Sequence, residues 1–236
     1  MKRLTARRPK SSLEIGGISI FEHQLAALRS VGISDISVVV GHAARFFDGF
    51  ADVKKYVNEN YKQNNILSSL MCASAELDSD VVVCYSDILF RADVLQDLLP
   101  MEYDFVAVSD VDWQQNYVGR TDHPQSQAEN VKVSEGKILA IGKHLGAAES
   151  DAEFIGVFAM SSAGCAIFKS TFTDVQQKFS GRAFQQSESL EKAYLADMIQ
   201  ELIDRGFEVG TRMIPGGWKE IDTEQDYLSA IATYKV

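Results

Sequence analysis

No run of 18 apolar residues occurs in the 236-residue sequence, and a membrane-spanning helix needs about 20. The charged N-terminus has no apolar stretch behind it, so it does not read as a secretory signal. Cysteine is scarce: Cys72, Cys84 and Cys165 are odd in number and lack metal-ligand spacing. The expectation is a reducing, cytoplasmic setting, with Cys84 as a buried thiol. Positive charge is in deficit. Twenty-three Lys and Arg against 33 Asp and Glu give a net charge of −10, which argues against a nucleic-acid-binding surface. His42, His123 and His144 have no zinc-like mutual spacing, and His23 reads as a helix-surface residue. Neither a nucleophile elbow nor a Ser-His-Asp or Cys-His arrangement is visible. Internal repeats, linkers and low-complexity tracts are also missing.

What is there supports a sizeable core. Apolar residues make up 46%, with 13 Phe and 8 Tyr, so folding needs neither a disulfide nor a structural metal. Ser19 and Glu22 have capping-box spacing ahead of Phe21, Leu25 and Leu28, with Gly32 closing the segment. A β-branched run, 36–40, follows. The spacing then predicts a helix over 66–77, a strand over 81–85, a helix over 94–99 and a strand over 105–108. This alternation suggests an α/β layer. It fails over 113–127, a polar stretch that reads as a loop. A hairpin over 130–141 around Glu135-Gly136 and a strand over 154–160 come next. Leu190, Tyr194, Leu195, Met198, Ile199 and Leu202 form a helical stripe whose default role is packing. Residues 207–214 are strand-like. Thr223 can cap a last helix with Tyr227, Leu228 and Ile231 on its inner face. The economical reading is a single domain with a β-rich excursion.

Several polar residues stand where chemistry is done. Asp87 follows the 81–85 strand, at the carboxyl end where open α/β sheets bind ligands. A carboxylate there can hold Mg²⁺, whose remaining ligands include water and phosphate oxygens. Asp222, in Trp218-Lys219-Glu220-Ile221-Asp222-Thr223, is either a second such ligand or the start of a helix. Lys10, after Pro9, is an amine able to offset charge on a transferring phosphoryl group. Lys143, past the 138–141 strand, can meet an anionic substrate or be an ordinary exposed lysine. Glu153 is a strand-end charge or a substrate ligand.

These residues occur in a familiar order. The stretch 4–20 with Arg8-Pro9-Lys10, the segment Val38-Val39-Val40-Gly41-His42, the strand end Tyr85-Ser86-Asp87 and the segment 218–226 resemble the nucleotidyltransferase family. The stretch 58–69 brings the resemblance closest to bacterial cytidylyltransferases for phosphocholine and 2-aminoethylphosphonate. The resemblance implies a Rossmann-like three-layer nucleotide-diphospho-sugar transferase fold, with a mostly parallel mixed sheet. It implies attack of an acceptor oxygen on the α-phosphorus of CTP, the co-substrate, with loss of pyrophosphate. Asp87 and Asp222 would hold Mg²⁺, Lys10 would neutralise phosphate charge, and Lys143 would hold the acceptor's anionic group. Asn65 and Ser68 would lie near the nucleotide base, and Asp110, Glu153 and Trp218 near the acceptor. The family begins with a strand and a glycine-rich loop just upstream of the Arg-Pro-Lys motif. Met1-Lys2-Arg3 begins after that point, so the expectation for 1–236 is one domain lacking that strand and loop, with a central sheet position empty.

The acceptor stays open. A quaternary ammonium would favour an aromatic cage drawn from Trp113, Tyr117, Tyr194 and Trp218. A primary ammonium would favour Asp110, Asp112 or Glu153. A sugar phosphate is a further alternative, as is a non-catalytic nucleotide- or metabolite-binding role. The expected partners are small molecules and a second copy of the chain, with no nucleic acid and no membrane.

Overall fold

Local chemistry accounts for most element boundaries in the computed structural model, which describes residues 1–96, 98 and 102–234. A short helix α1 (Lys2–Thr5) and a 3-10 turn (Lys10–Ser12) lead into a hairpin of β1 (Glu14–Ile15) and β2 (Ile18–Ser19). Ser19 then caps α2 (Ile20–Ser30). Its hydroxyl accepts from the Glu22 N–H and the Glu22 carboxylate accepts from the Ser19 N–H, which satisfies two otherwise orphaned donors. There follow β3 (Ile36–Val40), β4 (Val53–Val57), α3 (Ile66–Cys72), β5 (Val81–Cys84), β6 (Ile88–Phe90) and α4 (Ala92–Leu95). The second half holds β7 (Phe105–Asp110), β8 (Asn130–Ser134), β9 (Lys137–Gly142), β10 (Ala152–Met160), α5 (Ser162–Phe179), α6 (Leu195–Asp204), β11 (Gly210–Ile214), β12 (Trp218–Glu220) and α7 (Glu224–Thr233).

The main sheet has the order β5-β10-β7-β11-β9-β8. It is mixed but mostly antiparallel, against the mostly parallel sheet expected: β7 and β11 pair parallel, while β10 lies antiparallel between β5 and β7, and β9 antiparallel to β8 and β11. Strand β10 is buried along its whole length. Phe154, Phe158 and Met160 enter a core shared with α5 and α6, while Ile155 and Val157 enter a second core with α2 and β3. A strand that feeds two cores has helices on both faces, hence three layers. A register shift interrupts the β10–β7 pairing between Phe154 and Phe158. Gly156 sits in it at φ +80, and a Cβ there would come within 2.5 Å of the Tyr85 ring. β3 and β4 pair parallel in a sheet of their own.

A third, smaller core of Leu13, Ile15, Ile20, Leu89, Ile221 and Ala230 binds the N-terminal hairpin to β6 and α7. This cluster matters most for function, because Lys10 and Asp222 flank its members.

Several expectations need correcting. His23 is 5% exposed and its Nε2 lies 2.7 Å from the Ile15 carbonyl, so it packs inward. Tyr194 is 37% exposed, just before α6, and is no core residue. Helix α7 turns Asp226 and Ala230 inward and leaves Leu228 and Ile231 exposed. The 66–77 helix ends at Cys72 and continues as a 3-10 turn. The 94–99 helix is the short α4, and Leu99 lies outside the described residues. Helix α5 and strand β4 have no counterpart in the sequence reading. The buried face of α5 is thin, Cys165, Phe168, Thr171 and Val175, and Val-Lys-Lys-Tyr-Val is a polar run for a strand. No helix among the described residues is long and apolar enough to cross a membrane.

Candidate active site

Pro9 is extended, at φ −70 and ψ 159, and the turn that follows starts at Lys10. Leu13, fully buried, anchors that turn. Asp87 lies just beyond β5. Antiparallel pairing of β12 with β6 sets Glu220 opposite Ile88. The Ile221 N–H donates to the Asp87 carbonyl at 2.9 Å, so Asp222 arrives beside Asp87 despite their separation in sequence.

The Lys10 ammonium bridges the two carboxylates. It donates to Asp87 Oδ2 at 3.0 Å and to Asp222 Oδ1. Burial alone would lower the Lys10 pKa, but the charges of Asp87 and Asp222 outweigh it and hold the amine well above its ordinary value. For Asp222, burial works upward and is outweighed by hydrogen bonds and charge from His123 and Lys10, so its pKa lies well below the usual carboxylate range. Two carboxylates meeting on one cation form an oxygen donor set suited to a small hard divalent ion.

His123 extends the cluster. Its Nδ1 is 2.8 Å from Asp222 Oδ2, and its Nε2 is 3.8 Å from Glu220 Oε2. His123, Glu220 and Asp222 each offer a ligand atom, all within 4.8 Å of one another. Imidazole is a softer ligand than carboxylate. Arg120 supports this wall, with a two-pronged contact to Asp226 at 2.6 and 2.9 Å and one to Glu220 at 2.8 Å. Burial pushes the Glu220 pKa up, and the neighbouring Asp222 and Asp87 charges add to that.

Other residues singled out from sequence sit as follows. Asp110 is fully buried and accepts from Trp218 Nε1, Gly216 N, Asp112 N and Asn116 Nδ2. An ionised carboxylate has about four lone-pair sites, so Asp110 is saturated by the protein, and Trp218 is committed to it. Both hold β7 to the β11–β12 connection, a structural task that uses up their hydrogen-bonding groups. Asn65 donates to the Lys192 carbonyl at 3.0 Å and Ser68 to that of Glu191 at 3.4 Å, which ties α3 to the loop before α6. Lys143 Nζ lies 4.0 Å over the centre of the Tyr194 ring and 3.4 Å from Gln127 Oε1. Glu153 is 4% exposed, and its Oε1 accepts from the Tyr117 hydroxyl. It lines a cavity of about 150 Å³ together with Arg120, Lys219 and Glu220. Burial pushes its carboxyl up to about 8. The four aromatic residues form no single cage: Trp113 is buried against Tyr117, Trp218 is bonded to Asp110, and Tyr194 stands over Lys143.

Sequence reasoning passed over Arg120 and Glu220, and gave His123 no ligand role for want of zinc-like spacing. Glu220 carried a signal, two residues before Asp222 in the same motif. His123 and Arg120 lie in a polar stretch without periodicity, and only tertiary structure brings them in.

Known proteins resemble the chain in sequence and in fold. The chain is 26% identical over 234 residues to the CTP:phosphoglutamine cytidylyltransferase of Campylobacter jejuni subsp. jejuni, covering 94% of this chain and 91% of that protein. Among solved structures, the inositol-1-phosphate CTP transferase of T. maritima superposes with a TM-score of 0.73 at 19% identity, covering 100% of this chain and 92% of that one. The CTP:phosphocholine cytidylyltransferase of Streptococcus pneumoniae superposes with a TM-score of 0.71 at 20% identity, covering 98% and 92%. These neighbours share the Rossmann-like nucleotidyltransferase fold. Residues 2–140, more than half of the chain, match the MobA-like NTP transferase domain, and the protein belongs to that family.

Proposed function

We propose that the protein transfers a cytidylyl group from CTP to a small acceptor bearing a phosphate or phosphonate, in a Mg²⁺-dependent reaction that releases pyrophosphate. The observation that carries this reading is the bridge of Lys10 between Asp87 and Asp222. It marks one point, at the carboxyl end of β5, where two anions and a cation converge. The similarity to a CTP:phosphoglutamine cytidylyltransferase supports the choice of nucleotide.

An acceptor oxygen forms a bond to the α-phosphorus of CTP, and the bond from that phosphorus to the pyrophosphate oxygen breaks. The acceptor oxygen is already ionised, so no general base is required. Catalysis then consists of alignment and charge compensation. Asp87 and Asp222 would hold Mg²⁺, which would supply positive charge to the phosphates. Lys10 adds a second positive charge at the same point. Lys143, 4.0 Å above the Tyr194 ring, holds the acceptor's anionic group.

Pyrophosphate release, measured across nucleoside triphosphates and phosphorylated acceptors with Mg²⁺, tests the reading. Turnover is expected with CTP and to be lost on chelation. Silence with every pair would sink it. Asp87→Asn is expected to lower turnover by about 10²-fold or more, with the melting temperature little changed. Equal turnover would remove Asp87 from the metal role.

A further inference from the structure

Lys143, the residue after β9, keeps its charge uncommitted. An ammonium has three donors, and Lys143 Nζ makes one contact to an oxygen, Gln127 Oε1 at 3.4 Å. It forms no ion pair among the described residues. An aromatic face lies against it instead. Nζ stands 4.0 Å from the centre of the Tyr194 ring, well inside the range over which a ring face attracts a cation.

The two backbones that carry this pair are locked together. The Gln186 side chain packs over Gly142, at φ +146, where a Cβ would come within 1.8 Å of Gln186 Nε2. Gln186 Oε1 accepts from the His144 N–H at 3.0 Å, so one amide holds the residues on either side of Lys143. The Gln186 N–H donates to Asp197 Oδ1 at 3.1 Å, and the Tyr194 N–H donates to Asp197 Oδ2 at 2.8 Å. Asp197 is buried in the first turn of α6. A single carboxylate thus ties the Tyr194 backbone to the side chain that braces Lys143.

A negative charge stands behind the lysine. The β8–β9 register sets Asn130 opposite Gly142. One step further it sets Glu129 opposite Lys143 on the same face. The Lys143 charge favours the ionised form of Glu129. Glu129 is buried, and its Oε2 accepts from the Tyr85 hydroxyl at 3.0 Å. Lys143 is therefore drawn by Glu129 and by the Tyr194 ring, while two of its N–H donors keep no protein acceptor.

We propose that Tyr194 is a positioning residue of the acceptor site, and that the face of its ring holds the Lys143 ammonium ready for the acceptor's phosphate or phosphonate. The proposal rests on the cytidylyltransferase reading above, with Lys143 as its anion ligand, and adds a residue that acts through that lysine. A long flexible side chain loses rotamer freedom when it grips an anion. A ring that restrains it beforehand removes part of that loss. The face does this work, so Phe replaces Tyr without effect and an aliphatic residue does not.

The test measures pyrophosphate release with CTP and phosphocholine, phosphoethanolamine, 2-aminoethylphosphonate or a sugar phosphate, whichever acceptor turns over fastest. Tyr194→Leu is expected to raise KM for that acceptor about fivefold, with kcat and KM for CTP unchanged. Unchanged KM for CTP shows that the variant is folded. Tyr194→Phe is expected to match the parent. Lys143→Ala is expected to raise the same KM at least as much, and adding Tyr194→Leu to it is expected to change nothing more. Unaltered acceptor KM in Tyr194→Leu overturns the assignment. So does Tyr194→Phe failing like Tyr194→Leu, or the full Tyr194→Leu effect persisting without Lys143. Unaltered acceptor KM in Lys143→Ala overturns it too while leaving cytidylyl transfer intact. No pyrophosphate with any acceptor removes the parent reading and this one with it.

Discussion

Lys10 occupies the place between two carboxylates that a divalent cation would also seek. Removing its amine strips the phosphates of a fixed counter-charge, so Lys10→Met is expected to lower kcat/KM by about 10²–10³-fold. The same variant frees Asp87 and Asp222 from their internal partner, and calorimetry without nucleotide is expected to show Mg²⁺ binding at least as tight as in the parent. Glu153 makes a different prediction. Its folded carboxyl stands at about 8, against an ordinary value of 4.5, chiefly because it is buried and with the Glu220 and Asp110 charges adding to the rise; the Tyr117 hydroxyl and Arg120 oppose it. The folded protein retains a proton that the unfolded chain has released, so stability falls as pH rises between those values and levels above them. Glu153→Gln still accepts from Tyr117 but no longer titrates. Its melting temperature is expected to match the parent near about pH 5 and exceed it near about pH 9. Lys10, Asp87 and Asp222 were legible in the sequence because each adjoins a local marker: a proline before Lys10, a strand end before Asp87, a helix cap after Asp222. His123 was not, because it stands in an aperiodic polar stretch and only the fold brings it to Asp222.

The β6–β12 pairing and the small core beneath it decide whether the site exists. Leu89 and Ile221 are fully buried there. Truncating either to Ala is expected to cost about 2–5 kcal/mol of stability, read as a fall in melting temperature. Below the transition, KM for CTP is expected to rise as Asp222 loosens from Asp87. Gly156 makes the complementary case on β10. Its positive φ, and a Tyr85 ring that would stand 2.5 Å from any Cβ placed there, leave no room for Ala. Gly156→Ala is therefore expected to displace Tyr85 and raise KM for the acceptor more than KM for CTP. Helix α2 could be read from its capping box, and the β8–β9 hairpin from Glu135-Gly136, both at positive φ. Strand β12 could not: three residues carry no periodicity, and only its partner β6 makes it a strand.

For the molecule as a whole, protection is uneven. β7 and β10 sit inside the six-stranded sheet between two cores, whereas among the described residues β3 and β4 pair only with each other. Hydrogen exchange is expected to be slowest at β7 and β10 amides and faster at β3 and β4; equal rates would contradict this layout. The fold class was visible in the alternation of helix and strand, while the division into separate sheets depends on pairings between distant segments that no local pattern encodes. The span of the Lys10–Asp222 contact, 212 residues, has one more consequence. The ribosome adds Asp222 long after Lys10 and Asp87 have left the decoding centre. A nascent chain halted before that residue holds half of the aspartate pair, so under the proposed mechanism a stalled translation product stays inert.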